Sequence, residues 1–327
     1  MNLSRFLITV VATATVAVGV TACGGSDTSS SASTDAGAAV SGSIAIDGSS
    51  TVFPFAQAAA EEFQTKNPDA KVTVGESGTG GGFEKFCNGE IQIADASRSI
   101  KDEEIALCKK GSIKYSEVQI ANDGIAIVTN KDLKITCMTT DQLKALWNKT
   151  STVSNYKQLD PSFPDVKVSL FGPGTDSGTF DFFTEKINGK KGDTRKDYQP
   201  TEDDNVTVQG VSGEKGGLGY FGLSYYADNT DKLNLVAVND GSGCVVPSAA
   251  TVQDGSYKPL SRPLFMYINE ADFTPAVKAF MGYVVDNADA IAKNAKIVAM
   301  TPAQQTEAKA ALSKAEAGAS GATTTTG

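Results

Sequence analysis

The 327-residue chain contains no histidine. That excludes a Ser-His-Asp triad, a Cys-His pair and any histidine-bearing zinc site of the H-E-x-x-H kind. Its five cysteines show no C-x-x-C spacing, so neither a metal site nor a cofactor is expected. Lys/Arg-rich runs are missing too. With 38 acidic residues against 29 basic ones and a formal net charge of −9, the chain lacks the counterion-releasing surface that nucleic acid requires, and nucleic acid is not an expected partner. An anion can still be a ligand, because screening over about 8 Å leaves a buried site answering to its own donors rather than to the net charge.

The N-terminus carries Arg5, an uncharged apolar run from Phe6 to Ala22, and Val20-Thr-Ala-Cys23. A basic residue, a short apolar core and small residues before a cut make a secretory signal peptide of residues 1–22. Val-Thr-Ala-Cys resembles a bacterial lipobox, which implies lipidation of Cys23 and anchoring to the bacterial cell membrane. The alternative, a transmembrane anchor, would use a run that is marginal against the ~20 residues needed to span. Either way the remainder lies outside the cytoplasmic membrane. Residues 23–42 are small and polar and read as a flexible linker, and residues 316–327, with Thr323-Thr-Thr-Thr326, read as a disordered tail.

Between these ends, β-type runs alternate with helical patterns. Ile44-Ala-Ile46 precedes a helical spacing of Phe55, Ala56, Ala59, Ala60 and Phe63, and Lys71-Val-Thr-Val74, Ile91-Gln-Ile93 and Val166 to Phe171 are further strands. Such alternation predicts an α/β architecture with mainly parallel sheet and ligands at the carboxyl ends of strands. Glu117 to Ile120 and Gly124 to Val128 are consecutive strand-like runs, and a crossing between two lobes is placed near Asn122. Arg262 to Ile268 is a candidate return strand. The lobes so defined are 43–122 plus 262–315, and 123–261.

Three strand-to-helix loops share one chemistry: Gly48-Ser-Ser-Thr-Val52, Glu76-Ser-Gly-Thr-Gly-Gly-Gly-Phe83 and Gly172-Pro-Gly-Thr-Asp-Ser-Gly-Thr-Phe180. Glycines let backbone amides turn inward, hydroxyls add donors, and a helix start adds partial positive charge. None of the three fits a P-loop or G-x-G-x-x-G, so nucleotides are a poor match. A fourth loop carries Arg98 between Ser97 and Ser99, a fork-shaped cation suited to a tetrahedral oxyanion. Asp95, Asp123 and Asp176 fall near the same place. A carboxylate can accept the proton of hydrogen phosphate and repels sulfate, which has none to give. In an exported chain Cys87, Cys108, Cys137 and Cys244 are expected as disulfides. Of the three pairings, Cys87–Cys108 and Cys137–Cys244 are favoured, each lying within one lobe.

The succession Gly48-Ser-Ser-Thr-Val-Phe-Pro54, Ser77-Gly-Thr-Gly-Gly-Gly82, Ala96-Ser-Arg98 and Thr175-Asp-Ser-Gly-Thr-Phe180 resembles the phosphate-binding lipoproteins of the high-affinity phosphate ABC transporter. The likeness continues through Glu202-Asp-Asp-Asn205 and Gly216-Gly-Leu-Gly-Tyr220. It implies a two-lobed periplasmic-binding-protein fold of type II, with inorganic phosphate in the cleft and delivery to permease subunits, and no enzymatic activity. Carried over, Ser50, Thr51, Ser77, Ser97, Arg98, Ser177, Gly178 and Thr179 would bind phosphate. Many members carry an arginine four residues before the last loop's serine, where this chain has Pro173, so Arg98 is the expected cation. Others carry an aspartate in place of Ser97, which leaves Asp123 or Asp176 as proton acceptor. Two rivals remain: a phosphohydrolase with Ser177 as nucleophile, and an exported scaffold that binds nothing.

Overall fold

Alternating burial of Ile44 and Ile46 marks the first strand, β1 (Gly42–Gly48), as a pleated element with one face on a core. In the computed structural model, which describes residues 40–322, ten more strands follow: β2 (Ala70–Val74), β3 (Ile93–Ala96), β4 (Tyr115–Asn130), β5 (Cys137–Thr139), β6 (Ser169–Pro173), β7 (Gln199–Thr201), β8 (Gly217–Gly222), β9 (Leu233–Asn239), β10 (Cys244–Val245) and β11 (Ser261–Asn269). Helices α1 (Phe53–Lys66), α2 (Gly78–Cys87) and α3 (Asp102–Lys110) follow β1, β2 and β3. Then come α4 (Thr140–Trp147), α5 (Gly178–Phe183), α6 (Asp204–Gly213), α7 (Leu223–Ala227), α8 (Ala249–Gln253), α9 (Pro275–Asp286), α10 (Ala288–Asn294) and α11 (Pro302–Ala322).

The strands form one curled sheet in the order β2-β1-β3-β11-β4-β8-β6-β7, with β9 branching from β4 and carrying β5 and β10. The α/β architecture agrees with the sequence; the expected predominance of parallel pairing does not. Parallel pairs join β1 to β2 and β3, β6 to β7 and β8, and β5 to β9. An equal set is antiparallel: four pairs arise because β4 and β11 cross the middle of the sheet against the direction of their neighbours, and the fifth joins β9 to β10. The two runs flanking Asn122 are one continuous strand of 16 residues. Its first part pairs with β11, with Arg262 opposite Asp123, and from Ile125 onward it pairs with β8. A local apolar pattern records that a segment is a strand, not which way its partner runs.

Helices cover both faces at each end of the sheet. Phe55, Phe63, Phe280 and Ile291 from α1, α9 and α10 pack on Ile44, Ile93, Val118 and Met266. Phe83 and Phe86 of α2 pack with Tyr267 on the opposite face. At the other end, Trp147, Phe183, Tyr220 and Val236 form one cluster and Phe171, Val208, Val211 and Phe221 another. Disulfides Cys87–Cys108 and Cys137–Cys244 join α2 to α3 and β5 to β10.

Residues 316–322, expected in a disordered tail, are helical. α11 runs through Glu316 to Ala322; alanines favour the helix, Leu312 and Ala315 are buried, and Lys278 pairs with Glu316 at 3.0 Å. Among the described residues no helix is long and apolar enough to cross a membrane. The expected signal peptide, Cys23, most of the expected linker and residues 323–327 lie outside the described residues.

Candidate functional site

The loops after β1, β3 and β6 meet. Gly48 has φ +146°, and a Cβ there would lie 2.2 Å from the carbonyl oxygen of Asp95; only glycine permits this approach, and it lets the Ser49 amide donate to that carbonyl at 3.0 Å. Ser50 and Thr51 follow, both buried, with Pro54 in the first turn of α1. Gly178 makes the corresponding approach from α5. A Cβ on it would sit 2.5 Å from Ser97 Oγ and 2.6 Å from Thr79 Oγ1.

The result is a buried group of hydroxyls from distant segments. Thr51 Oγ1 lies 3.1 Å from Thr179 Oγ1, and Thr79 Oγ1 lies 3.4 Å from Ser97 Oγ. Ser177 caps α5, its Oγ accepting from the Thr179 amide at 3.1 Å and the Phe180 amide at 3.4 Å. Ser77 stands apart: its hydroxyl donates to Asp47 Oδ1 at 2.7 Å, and Asp47 also pairs with Lys85. The second loop therefore brings Thr79, rather than the expected Ser77, to the hydroxyl group.

Two arginines border the cluster, and their bonds differ. Arg98 gives Nη1 and Nη2 to Glu104 at 2.8 and 2.6 Å and Nε to Asp181 at 2.7 Å, so carboxylates already compensate its charge. Arg262, not singled out in the sequence, donates Nη2 to Thr51 Oγ1 at 3.1 Å, to Thr179 Oγ1 at 2.7 Å and to Asp123 Oδ2 at 2.9 Å. Its side chain is fully buried and its Nη1 has no protein partner. Burial drives the Arg262 pKa down, with Asp123 opposing. A signal existed: a cation opening the apolar run Arg262-Pro-Leu-Phe-Met-Tyr-Ile268 must have a buried partner.

The carboxylates sort by placement. Asp123 is committed to Arg262 and to the Leu223 amide at 3.2 Å; burial pushes its carboxyl up and Arg262 holds against it. Asp176 is exposed. Asp95 is buried, both oxygens lack a protein hydrogen-bond partner, and desolvation, with Asp47 adding to it, raises its pKa well above the usual range. Asp204, at the start of α6, is the acid placed against the cluster. Its Oδ2 accepts from Ser50 Oγ at 3.3 Å and its Oδ1 is buried without a partner. Burial raises its pKa strongly, Glu76 adds to this, and Arg262 opposes it.

Such a site can surround a small oxyanion with hydroxyls, amides and one guanidinium, and can take a proton from it at Asp204. It offers little to a hydrolase. The Ser177 hydroxyl is turned to two backbone amides, and among the described residues no group of His, Cys, Asp or Glu could hold a metal ion.

A family profile described as a PBP superfamily domain matches residues 33–288. The chain is thus a substrate-binding protein of that superfamily, a class of transporter component rather than of enzymes. Protein SphX of Synechococcus elongatus is 46% identical over 259 residues, 78% of this chain and 77% of that one. The phosphate-binding protein PstS of Staphylococcus saprophyticus is 40% identical over 275 residues, 83% and 84% of the two chains. Among solved structures, a possible phosphate-binding protein from Planctomyces limnophilus aligns with TM-score 0.63 and 43% identity, covering 84% of this chain and all but 1% of its own, at 99%. A putative phosphate ABC transporter substrate-binding protein from Clostridium perfringens, with bound phosphate, aligns with TM-score 0.68 and 29% identity, covering 80% of this chain and 100% of that one. The chain belongs to the PstS family of phosphate-binding proteins.

Proposed function

We propose that this protein captures inorganic phosphate outside the cytoplasmic membrane and delivers it to the permease subunits of an ABC transporter. Family membership supports the class of ligand. The observation that carries the assignment to this site is the buried hydroxyl group around Arg262, whose Nη1 has no other partner. Residues 43–122 plus 262–315 act as one lobe and 123–261 as the other, and the ligand is held where they meet.

Ser50, Thr51, Ser97, Ser177, Gly178 and Thr179 supply hydroxyl and amide donors, with Thr79 added to them. Arg262 supplies the nearest charge, and Arg98 borders the site from its pairs with Glu104 and Asp181. Ser77 acts through Asp47. Asp204, rather than the expected Asp123 or Asp176, takes the part of proton acceptor, because its Oδ1 is buried and free. Cleavage before Cys23 and lipidation of that residue hold the protein to the cell membrane. Calorimetry with phosphate, sulfate and molybdate tests the reading. Phosphate is expected to bind at about micromolar strength or tighter and sulfate not to compete; absence of phosphate binding overturns it.

A further inference from the structure

Asp181 lies two residues beyond Thr179, at the edge of the hydroxyl cluster, where by Coulomb's law alone a carboxylate opposes an anion. It is only 3% exposed and is held by two cations from a distant segment, Arg98 Nε at 2.7 Å and Lys101 Nζ at 2.6 Å. Arg98 is gripped in turn by both oxygens of Glu104, and Glu104 Oε2 accepts the Lys101 amide at 2.8 Å. The four side chains are neutral as a set, yet three belong to residues 98–104 and only Asp181 to α5. They lie beside the contact of Gly178 with Ser97, which joins the same two segments.

We propose that Asp181 is a positioning residue, a strut that draws α5 onto residues 98–104 and so sets the fraction of protein closed before ligand arrives. This rests on the phosphate-binding reading above. Parting the segments leaves one net positive charge on Arg98, Lys101 and Glu104, offset by the exposed Glu103 at 3.9 Å from Lys101 Nζ, and one negative charge on Asp181, each needing water, whereas closure pairs them. Apparent affinity scales with the fraction already in the binding-competent state, so the strut strengthens binding of an anion that Asp181 itself repels.

The two roles of this carboxylate predict opposite signs for Asp181→Asn, which keeps an acceptor for Arg98 Nε and removes the charge. As an acidic neighbour only, its loss tightens phosphate binding. As a strut, its loss weakens binding by about fivefold or more, enlarges the radius of gyration of the ligand-free protein in X-ray scattering and leaves the phosphate-saturated radius unchanged. Lys101→Met shifts both readouts the same way by a smaller amount and carries the test if Asp181→Asn fails to fold. Unchanged or tighter binding, or an unchanged ligand-free radius, overturns the proposal. Wild-type protein that fails to bind phosphate overturns the functional reading instead, and the ligand-free scattering then decides the strut by itself.

Discussion

Arg262 Nη2 donates to Thr179 Oγ1 at 2.7 Å, joining residues 83 positions apart, while the same nitrogen bonds Asp123. The arginine thus links β11, β4 and α5 and keeps Nη1 buried without a protein partner, the nitrogen proposed to meet the ligand. Lysine would keep the charge and lose the fork. Arg262→Lys is expected to weaken phosphate binding by about tenfold or more, since charge-assisted bonds contribute roughly 1.5–3 kcal/mol each. Arg262→Ala also strands Asp123 in the interior and should cost roughly 3–5 kcal/mol of stability. Calorimetric titration and thermal melting check the two effects separately, and a lysine variant of wild-type affinity would remove Arg262 from the ligand set.

Much of this site was legible in the sequence, and the remainder was not for identifiable reasons. Ser50, Thr51, Ser97 and Thr179 stand out because glycine-hydroxyl loops between a strand and a helix have a local signature. Arg98 is visible for the same reason. Its partners are not visible, because Glu104 is one of three consecutive acids in the first turn of α3 and Asp181 comes from 83 residues away, and only folding sets them on one guanidinium. Arg262 carries no loop signature at all. It sits inside a strand, and its role follows from the antiparallel register that places it opposite Asp123. The mixed character of the sheet is hidden for the same reason, since antiparallel pairing leaves no mark on a local apolar pattern.

Asp204 is the second residue whose part depends on folding. If its free Oδ1 takes the ligand's proton, replacing it with an amide should reverse the discrimination, because the new N–H donates where the carboxylate accepted. Asp204→Asn is expected to lose about tenfold in phosphate affinity and to let sulfate compete. Competition calorimetry measures both. Continued exclusion of sulfate by the variant would place the proton-reading group elsewhere.

Asp95 governs a pH effect. Its folded-state pKa is raised, chiefly by desolvation, so folding holds a proton that the unfolded chain releases near the ordinary carboxylate pKa. The stability this proton supports is full below that pKa and declines as pH rises towards the folded value, by up to about 1.4 kcal/mol per pH unit. Asp95→Asn mimics the neutral acid and should gain on the wild type as pH is raised above about 4. Melting temperatures measured from acid to neutral pH give the comparison; parallel curves for the two proteins would show that Asp95 is ionised in the fold.

The two disulfides should separate stability from binding. Cys137–Cys244 closes a chain separation of 107 residues and Cys87–Cys108 one of 21. Chain entropy alone therefore gives about 5 kcal/mol to the first and about 3 kcal/mol to the second. Position ranks them the other way for binding. Cys87–Cys108 ties α2 to α3, and these helices carry Thr79 of the hydroxyl group and Glu104 of the Arg98 pair. Cys137–Cys244 ties β5 to β10, which pair with β9 and not with the loops that meet at Arg262. Replacing Cys137 and Cys244 with serine should lower the melting temperature more and leave phosphate affinity nearly unchanged. Replacing Cys87 and Cys108 should lower it less and weaken binding by several-fold, as α3 loosens its hold on Arg98. If both double variants lose affinity in proportion to their loss of stability, the bridge at α3 has no separate influence on the site.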